Sequence, residues 1–474
     1  MEELIIRDGR CLNTESMGFE AKSARRGIPR SLWESYSAFA NTAGGTIVLG
    51  LDEPEDGGGF VLSGVRSADS MRDDMWSTLN NPEKISVNVL TDRDLEVVAA
   101  GGVELIVLHV PMADRTLRPV YVGSVNSGTY KRNGSGDYHC NAEDIAAMYR
   151  DAAPQSRDSL PAATAGMDDL DAGSVEAFRK AMSSNTGTVG GWTDEPREEF
   201  LRLIGAARRG EDGIMRPTMA GLMMFGRGSI VQMTVPGFTL DYREYPDEGD
   251  EWSLRRLSGM PDWTGNLFDF YTYVVNRLPQ TVGTGFSVPD GITRSDDTDL
   301  LRALREVVTN ALAHADYWGR RGVRIEMRPG RLVVSNPGRF RVPVSEAEEG
   351  GCSDPRNETL LRMLNYIGKA ERAGSGVRNV FRICRDLGLE SPRIEEGYSP
   401  DTVTVTVRFG RGRGREVSDM IADLIRDDSR ISVKEIVAAS GLTRNRILNE
   451  MEVMKAEGRL ERRGGPRGYW HLRW

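Results

Sequence analysis

The sequence predicts a multidomain protein of mixed α/β and α+β class. Its 474 residues exceed what one hydrophobic core usually organises, so we expect several domains. Apolar runs such as GGTIVLGLDE (44–53) and ELIVLHVPM (104–112) are typical of buried strands, and they alternate with segments of helical period. Further strands, VRIEMRP, RLVVSNP and TVTVTVRF, follow a long helical segment at 295–318. We therefore expect two separate units of strands and helices.

Composition shifts indicate where these units end. Residues 151–173 are rich in Ala, Ser, Pro and Asp and lack apolar periodicity, which is typical of a linker. The Gly- and Arg-rich stretch 410–416 precedes a small C-terminal module. The predicted division is a first domain, a linker with a short helix, a second domain and a helical module, at 1–152, 153–198, 199–410 and 411–474.

Individual helices can be placed within these units. Residues 29–41 and 142–152 are expected to be helical in the first domain, the latter closing it. In the second domain, PTMAGLMMFG (217–226) predicts a helix that ends at its last glycine, because glycine is favoured just beyond a helix C-terminus.

Composition also excludes several classes of protein. Hydrophobic residues make up 39% and charged residues 28% of the chain, which is typical of a globular rather than a disordered protein. No apolar run reaches the 18 or so residues of a membrane span, and the start MEELIIRDGR does not resemble a signal peptide. The cysteines and histidines, four of each, are scattered without a metal-ligand spacing. We expect a cytoplasmic protein with reduced thiols and without a His/Cys zinc site.

Charge is distributed unevenly along the chain. The segment from Arg408 to the C-terminus contains 15 Lys and Arg against 10 Asp and Glu. Because the whole chain has a net charge of −9, the remaining residues carry −14. A basic end on an acidic body is a common layout for a protein with one dedicated nucleic-acid-binding module.

A group of carboxylates near the N-terminus forms the first candidate site. Glu15, Glu20 and Lys22 precede a predicted strand that ends in Asp52, with Glu53 as a substitute for that aspartate. Carboxylate oxygens are the ligands that Mg²⁺ and Mn²⁺ prefer, and a lysine can stabilise charge on a phosphate. The group therefore indicates a nuclease centre. The alternative is an ordinary salt bridge between Glu20 and Lys22, two residues apart on one strand face.

The segments around these carboxylates resemble the AlbA-like domain of the Schlafen family. The resemblance rests on TESMGFEAK (14–22), SAFANTAGG (37–45), VLGLDE (48–53) and RPVYVGSVNSGTYKRNGSG (118–136), and it covers roughly residues 10–150. In some members of the family the matching carboxylates form an endoribonuclease triad. The resemblance implies that role for Glu15, Glu20 and Asp52, whereas most bacterial relatives are DNA-binding regulators.

A helix in the second half of the chain carries the second candidate site. In REVVTNALAHADY (305–317), Glu306, Asn310 and His314 are four residues apart and so share one helix face. An asparagine there can ligate Mg²⁺ beneath a nucleotide triphosphate, and a glutamate one turn earlier can act as the base that orients water. The alternative is a polar stripe that merely faces solvent.

This pattern resembles the N-box of the GHKL ATP-binding fold, a Bergerat-type α/β sandwich, in its divergent RecG-like branch. SNPGRF (335–340) lies where that fold turns beneath the adenine, which implies contacts from Asn336 and Gly338. RAGSGVRNVF (372–381) resembles the phosphate-covering lid, which implies contacts from Gly374, Ser375 and Gly376. The expected cofactors are ATP and Mg²⁺. The usual aspartate of the adenine turn is an asparagine here, a weaker acceptor.

The C-terminal module holds the third candidate site. VKEIVAASGLTRNRILNEM (433–451) has a helix–turn–helix layout with Ile447, Leu448 and Met451 expected to face inward, and a two-stranded wing follows. It resembles a winged helix-turn-helix. The residues expected to contact DNA, on the second helix and the wing, are Thr443, Arg444, Asn445, Arg446, Arg462, Arg463 and Arg467. The alternative is a winged helix used for protein contact.

Two functional hypotheses follow. The favoured one is an ATP-responsive, DNA-binding transcriptional regulator, with the winged helix reading DNA and the N-terminal domain adding a less specific surface through Lys22, Arg25, Arg26 and Arg132. The alternative is a metal-dependent endoribonuclease gated by the nucleotide-binding domain, as a defence or stress effector would require. The expected partner is nucleic acid, with DNA at the C-terminal module and RNA at the N-terminal domain, and no membrane. We also expect a homo-oligomer, with a dimer matching two half-sites.

Overall fold

The computed structural model describes most of the chain between residues 4 and 472. The residues outside the description within that range are 8, 54–58, 186–190, 286–293, 352, 369–375, 399, 410–420, 423, 427, 441–443, 457 and 464–468. The described part contains several sheets with helices packed on them, so the predicted mixed α/β multidomain class is confirmed.

The N-terminal part is built on two four-stranded sheets. The first has the order β1-β2-β6-β5 and the second the order β3-β4-β8-β7. Strands β3 and β4 are parallel and the other neighbours antiparallel. The strands are β1 (Ile6–Arg7), β2 (Arg10–Cys11), β3 (Phe19–Lys22), β4 (Gly45–Leu49), β5 (Leu51–Asp52), β6 (Phe60–Leu62), β7 (Leu95–Ala100), β8 (Val103–Val110), and the hairpin β9 (Tyr130–Asn133) and β10 (Gly136–His139).

The described residues of this part also form α1 (Ser31–Asn41), α2 (Ala68–Leu79), the one-turn α3 (Val125–Gly128) and α4 (Ala142–Ala152). Helix α1 connects β3 to β4, which allows these two strands to run parallel. It buries Leu32, Tyr36 and Phe39 against strand residues such as Ile47, and this cluster forms the core beneath the second sheet. Helix α4 begins at a capping box in which Asn141 accepts from the first-turn amides.

The predicted strand at 44–53 is divided between the two sheets. It breaks at Gly50, whose φ of +99° lies in the left-handed region that favours glycine. A Cβ atom there would also stand 2.9 Å from the backbone of Gly64. Asp52 therefore lies in a different sheet from Glu20 and Lys22.

The segment expected to be a linker is packed against the rest of the chain. The predicted short helix is α5 (Ala172–Ser183), and its Val175, Phe178 and Met182 join the largest hydrophobic core. Ahead of it, Asp158 is buried and accepts a hydrogen bond from the backbone amide of Leu360. The low periodicity of 151–173 reflects short turns that pack irregularly, and the predicted division at this segment stays a prediction.

Further short elements complete this middle region. They are α6 (Arg197–Leu203), the hairpin β11 (Ala207–Arg209) and β12 (Met215–Pro217), α7 (Met219–Phe225) and α8 (Gly228–Thr234). Helix α7 ends at Gly226, as the sequence predicts. Every residue from Ala220 to Phe225 is buried, so this helix lies inside the core.

A six-stranded sheet with the order β14-β13-β15-β16-β18-β17 organises the second half of the chain. Its strands are β13 (Leu240–Glu244), β14 (Leu254–Leu257), β15 (Val323–Arg328), β16 (Arg331–Pro337), β17 (Arg393–Tyr398) and β18 (Asp401–Arg408). Alternate residues such as Tyr242, Ile325 and Val334 are buried on one face, where the helices pack. Those helices are α9 (Leu267–Gly285), α10 (Arg294–His314), α11 (Val344–Glu349), α12 (Glu358–Ile367) and α13 (Gly376–Asp386).

The C-terminal module has a small core of its own. After helical residues at 421–422 and 424–426 come α14 (Val433–Ser440), α15 (Arg444–Ala456) and the antiparallel pair β19 (Leu460–Arg463) and β20 (Tyr469–Leu472). Ile447 and Met451 are buried in this core, but Leu448 is 36% exposed, so the expectation that it faces inward is wrong. Across the described ranges, no helix is both long and apolar enough to cross a bilayer.

Candidate functional site

A cavity of about 120 Å³ lies between α10, the strands β16–β18 and the start of α13. Glu306, Asn310 and His314 all line it from α10, so the spacing of four places them on one face, and that face lines the cavity rather than open solvent. The apolar part of the wall comes from Val307, Ala311, Phe340, Val342, Ala347, Leu361, Val377, Val380, Phe381, Pro392, Ile394, Val403 and Val405.

The N-terminus of α13 closes one side of the cavity. Gly376, its first described residue, lies so close to α10 that a Cβ atom there would overlap the Glu306 carboxylate and stand 2.9 Å from Asn310 Nδ2. Glycine avoids this overlap, whereas any other residue here would require the Glu306 carboxylate to move. Backbone amides at the start of a helix of 11 residues favour an anion, so a phosphate would be favoured here. Gly374 and Ser375, the other predicted lid residues, lie outside the described residues.

The turn after β16 forms the opposite side. Asn336 is buried and lines the cavity, and its amide donates to its neighbour Pro337 at a long 3.3 Å. Gly338 adopts a φ of +97°, and a Cβ atom there would lie 2.7 Å from the Arg356 guanidinium. Both predicted turn residues are thus close to the site, Asn336 in the wall and Gly338 supporting it.

The charge state of His314 determines which hydrogen bonds this side chain can make. Burial, and then the charges of Arg356 and Arg341, lower the pKa of His314 to about 4. The imidazole is therefore neutral at neutral pH and can accept as well as donate a hydrogen bond.

Three charged residues of the wall were missed by the sequence analysis. Arg339 and Arg341 follow the glycine turn directly, and Asp354 lies ahead of α12. The pattern Arg-Phe-Arg after Asn336-Pro337-Gly338 could have indicated the two arginines, because residues that follow a ligand-binding turn commonly continue its wall. No local pattern indicated Asp354.

The chemistry of the cavity wall fits a nucleotide with a bound magnesium ion. An apolar slot with one buried carboxamide suits a base, and a carboxylate, a carboxamide and a helix N-terminus together suit phosphates and their counter-ion. Among the described residues, no group of three His, Cys, Asp or Glu side chains could hold a metal alone. A magnesium ion would therefore depend on phosphate oxygens as well as on Asn310 and Glu306.

The N-terminal carboxylates are held in ion pairs. Lys22 Nζ lies 2.9 Å from Glu20 Oε1, and Arg132 lies 2.7 Å from Glu20 Oε2, with all three side chains largely buried. The predicted salt bridge between Glu20 and Lys22 is therefore confirmed. Lys22 and Arg132 do not contribute to an exposed cationic surface, because each is buried against a carboxylate.

Glu15 and Asp52 do not complete a metal cluster with Glu20. Arg25 lies 2.7 Å from Asp52, and burial, which would raise the pKa of Asp52, is outweighed by hydrogen bonds from Ser23 and Ser63 and by Arg25, so the pKa is lowered. Glu15 is mostly exposed to solvent. The part of it that is buried, and then the charge of Glu20, raise its pKa. The described residues here form no group that could hold a metal.

The predicted DNA contacts are only partly within the described structure. Arg444 is exposed at the start of α15. On the wing, the Arg462 guanidinium lies 4.9 Å from the ring centre of Trp470, and Arg463 pairs with Glu461 at 3.2 Å. Thr443, Arg467 and the side chains of Asn445 and Arg446 lie outside the described residues.

Comparison with family models identifies three segments. Residues 15–141 match the family described as "Schlafen, AlbA_2". The chain carries a Schlafen AlbA_2 domain. Residues 320–407 match "Putative ATP-dependent DNA helicase recG C-terminal", an ATPase-like domain model, which covers β15 to β18 and lies directly after the helix with Asn310. Residues 146–241 match a domain of unknown function, DUF8451, which bridges the Schlafen AlbA_2 and RecG-like segments.

Two solved structures are similar to the chain. The DIP2311 protein from Corynebacterium diphtheriae is 18% identical, with a TM-score of 0.41, over 99% of this chain and 82% of that chain. The N-terminal domain of a "Putative ATP-dependent DNA Helicase RecG-related Protein" from Nitrosomonas europaea is 30% identical, with a TM-score of 0.22, over 28% of this chain and 87% of that chain. At these TM-scores neither likeness bears on function. No curated protein matches the chain.

The family matches support a nucleic-acid-related, ATP-linked protein. The Schlafen AlbA_2 match supports the relation to nucleic acid, and the RecG-like match supports the relation to ATP. The C-terminal module matches none of the three families, so its assignment as a winged helix-turn-helix stays a prediction.

Proposed function

We propose that this protein is an ATP-responsive transcriptional regulator that binds DNA through its C-terminal module. ATP with Mg²⁺ would occupy the cavity beside α10, and its presence would change the affinity for nucleic acid. The single observation that carries the proposal is the convergence of Glu306, Asn310 and the Gly376 helix start on one apolar cavity, which is otherwise walled mainly by the ATPase-like segment 320–407.

Each predicted contact has a chemical role in this proposal. Asn310 would hold Mg²⁺ together with phosphate oxygens, and the α13 amides would face the phosphates. Asn336 would hydrogen-bond the base between apolar walls such as Val403 and Ile394. Bound Mg²⁺ would supply charge neutralisation at the phosphates. Glu306 would orient a water molecule, which would make a weak ATPase activity chemically feasible.

Calorimetric titration with Mg·ATP tests the nucleotide half of the proposal. The wild-type protein is expected to bind Mg·ATP, and Asn310→Ala is expected to abolish the magnesium-dependent binding. Asn276→Ala, an exposed asparagine on α9, is the matched control and should titrate like the wild type. Equal titrations of Asn310→Ala and Asn276→Ala would reject the assignment of the site.

The support for nucleic-acid binding is less specific than that for nucleotide binding. The exposed Arg444 at the start of α15 and the exposed Arg26 on the Schlafen AlbA_2 domain are available cations, whereas Arg25, also exposed, is paired with Asp52. A protein that binds phosphates releases counter-ions, so its affinity for a duplex should fall steeply with salt. Affinity that ignores salt would contradict nucleic-acid binding. A symmetric dimer would suit two half-sites, and sedimentation of the full chain tests it.

The endoribonuclease alternative has less support in the structure. Glu20 is neutralised by two buried cations and Asp52 by Arg25, so neither is free to hold a metal without breaking an ion pair. Incubation of the protein with RNA under Mg²⁺ or Mn²⁺ tests it directly. Divalent-dependent cleavage that disappears in Asp52→Asn would favour the nuclease over the regulator.

A further inference from the structure

Three polar or charged residues in the wall of the nucleotide cavity are held by the N-terminal part of the chain. The Arg339 guanidinium donates to the backbone oxygen of Asn41 at the end of α1, over 2.9 Å. Asp354 pairs with Arg115, and Arg341 pairs with Asp151 at 3.0 Å. One side of the cavity is therefore built against a neighbouring domain rather than by the ATPase-like segment alone.

Asp151, near the end of α4, is the centre of these contacts. Its Oδ1 accepts from Arg341 Nη2 at 3.0 Å and from Arg356 Nε at 2.7 Å, and its Oδ2 accepts from Arg356 Nη2 at 2.6 Å. The two arginine side chains are 8% and 7% exposed. One carboxylate thus pairs with two buried guanidinium groups, and Arg341 also pairs with Asp354 at 3.3 Å. Removal of the Asp151 charge would leave the buried Arg356 guanidinium without this partner and would weaken the hold on Arg341.

Arg356 transmits the position of Asp151 to two walls of the cavity. It donates to the backbone oxygen of His314 at 2.6 Å, which fixes the end of α10, and to that of Arg339 at 3.1 Å, which fixes the turn after β16. It also lies against Gly338. The ends of the two elements that carry Asn310 and Asn336 are consequently both tied to Asp151.

We infer that Asp151 is a positioning residue of the nucleotide site, supplied from outside the ATPase-like segment; this rests on the nucleotide binding proposed above. Asp151 does not line the main cavity, and it acts by holding Arg341 and Arg356. Nucleotide binding should in return restrain α4, because coupling between two sites is reciprocal.

The direction in which the nucleotide affinity changes on removal of the Asp151 charge distinguishes a positioning role from a purely electrostatic one. Removing a negative charge near the site of an anionic ligand would by itself strengthen binding of that ligand. Loss of positioning would weaken binding, because the end of α10 and the turn after β16 would no longer be held. Asp151→Asn keeps the shape of the side chain and removes the charge, so it distinguishes the two effects.

Calorimetry with Mg·ATP on the full chain tests this inference. Asp151→Asn is expected to bind at least about fivefold more weakly than the wild type, and Asp151→Glu, which restores the charge, is expected to recover most of the loss. Asp69→Asn, at an aspartate 87% exposed on α2, is the matched control and should be unchanged. Unchanged or tighter binding by Asp151→Asn would overturn the inference.

Amide hydrogen exchange provides a measurement that needs no variant. In the wild type, saturating Mg·ATP should slow amide exchange in residues 142–152. Asp151→Asn should lose this protection, provided that a thermal unfolding curve shows the variant to be folded. Absence of ATP-dependent protection in the wild type would overturn the inference even if the variant does not fold. If the wild type does not bind Mg·ATP at all, the proposed function itself fails, whereas wild-type binding with an unaffected Asp151→Asn rejects only the role of Asp151.

Discussion

Substitution of Gly376 by alanine should separate the stability of the fold from the integrity of the nucleotide site. The added Cβ atom would overlap the Glu306 carboxylate and lie 2.9 Å from Asn310 Nδ2. The backbone at Gly376 is not in the left-handed region, so alanine itself is not strained there. The change therefore acts through the two side chains that face the cavity.

The size of each effect can be estimated from these contacts. Glu306 must move by about 1 Å to regain an ordinary carbon–oxygen separation of roughly 3.5 Å. The carboxylate is the far end of a flexible side chain, and alanine favours a helix over glycine by about 1 kcal/mol, so the free energy of unfolding should change by no more than about 1 kcal/mol. Displacement of both predicted phosphate-side groups should cost about 1.4 kcal/mol or more in binding, which is a tenfold loss of Mg·ATP affinity.

The assay is calorimetric titration paired with urea unfolding. Gly259→Ala is the matched control, because an added Cβ atom there meets nothing nearer than 3.9 Å and the residue is exposed. The expected result is tenfold weaker Mg·ATP binding by Gly376→Ala with nearly unchanged stability, and no change in Gly259→Ala. Normal ATP affinity in a folded Gly376→Ala protein would refute the placement of the phosphates beside Glu306 and Asn310.

Three further predictions concern the ion pairs and the C-terminal module. Glu20→Gln should lower the free energy of unfolding by about 3 kcal/mol, because Lys22 and Arg132 would stay buried without their partner, while Glu199→Gln on an exposed pair should show no measurable change in urea unfolding. Burial alone would raise the pKa of Asp151, but Arg356 and Arg341 lower it below its ordinary value, so the ionised carboxylate stabilises the folded state. This contribution to the free energy of unfolding is complete above about pH 4 and is lost as the pH falls below it. Asp151→Asn should therefore flatten the fall in urea midpoint on acidification. Retention of the full acid dependence in that variant would exclude Asp151 as its source. Arg444→Ala and Arg446→Ala should each weaken binding to a specific duplex more than to a non-specific one in fluorescence anisotropy, and equal losses on both duplexes would argue against a reading helix.

Features that depend on local spacing could be predicted from the sequence. The spacing of Glu306, Asn310 and His314 correctly placed them on one face of a helix, and that face lines the cavity. The ion pair between Glu20 and Lys22 also followed from their separation of two residues in a strand. In both cases helix or strand periodicity alone determines which side chains are neighbours.

Features that depend on packing between distant segments could not be predicted. Asp151 and Arg356 are 205 residues apart and meet only because α4 packs against the ATPase-like segment. The break of the predicted strand at Gly50 depends on the close approach of Gly64, which no local pattern reveals. The packing of the predicted linker could not be predicted for the same reason, since Asp158 is buried through contact with α12 rather than through its own sequence neighbours.

The most direct test of the account is the affinity of the full-length protein for nucleic acid with and without Mg·ATP. Dissociation constants for one duplex DNA and one single-stranded RNA would be measured by fluorescence anisotropy at a single salt concentration. Saturating Mg·ATP should shift at least one of them by about fivefold or more in the wild type and leave both unchanged in Asn310→Ala. Identical constants with and without Mg·ATP in a wild-type protein that binds the nucleotide would contradict this prediction.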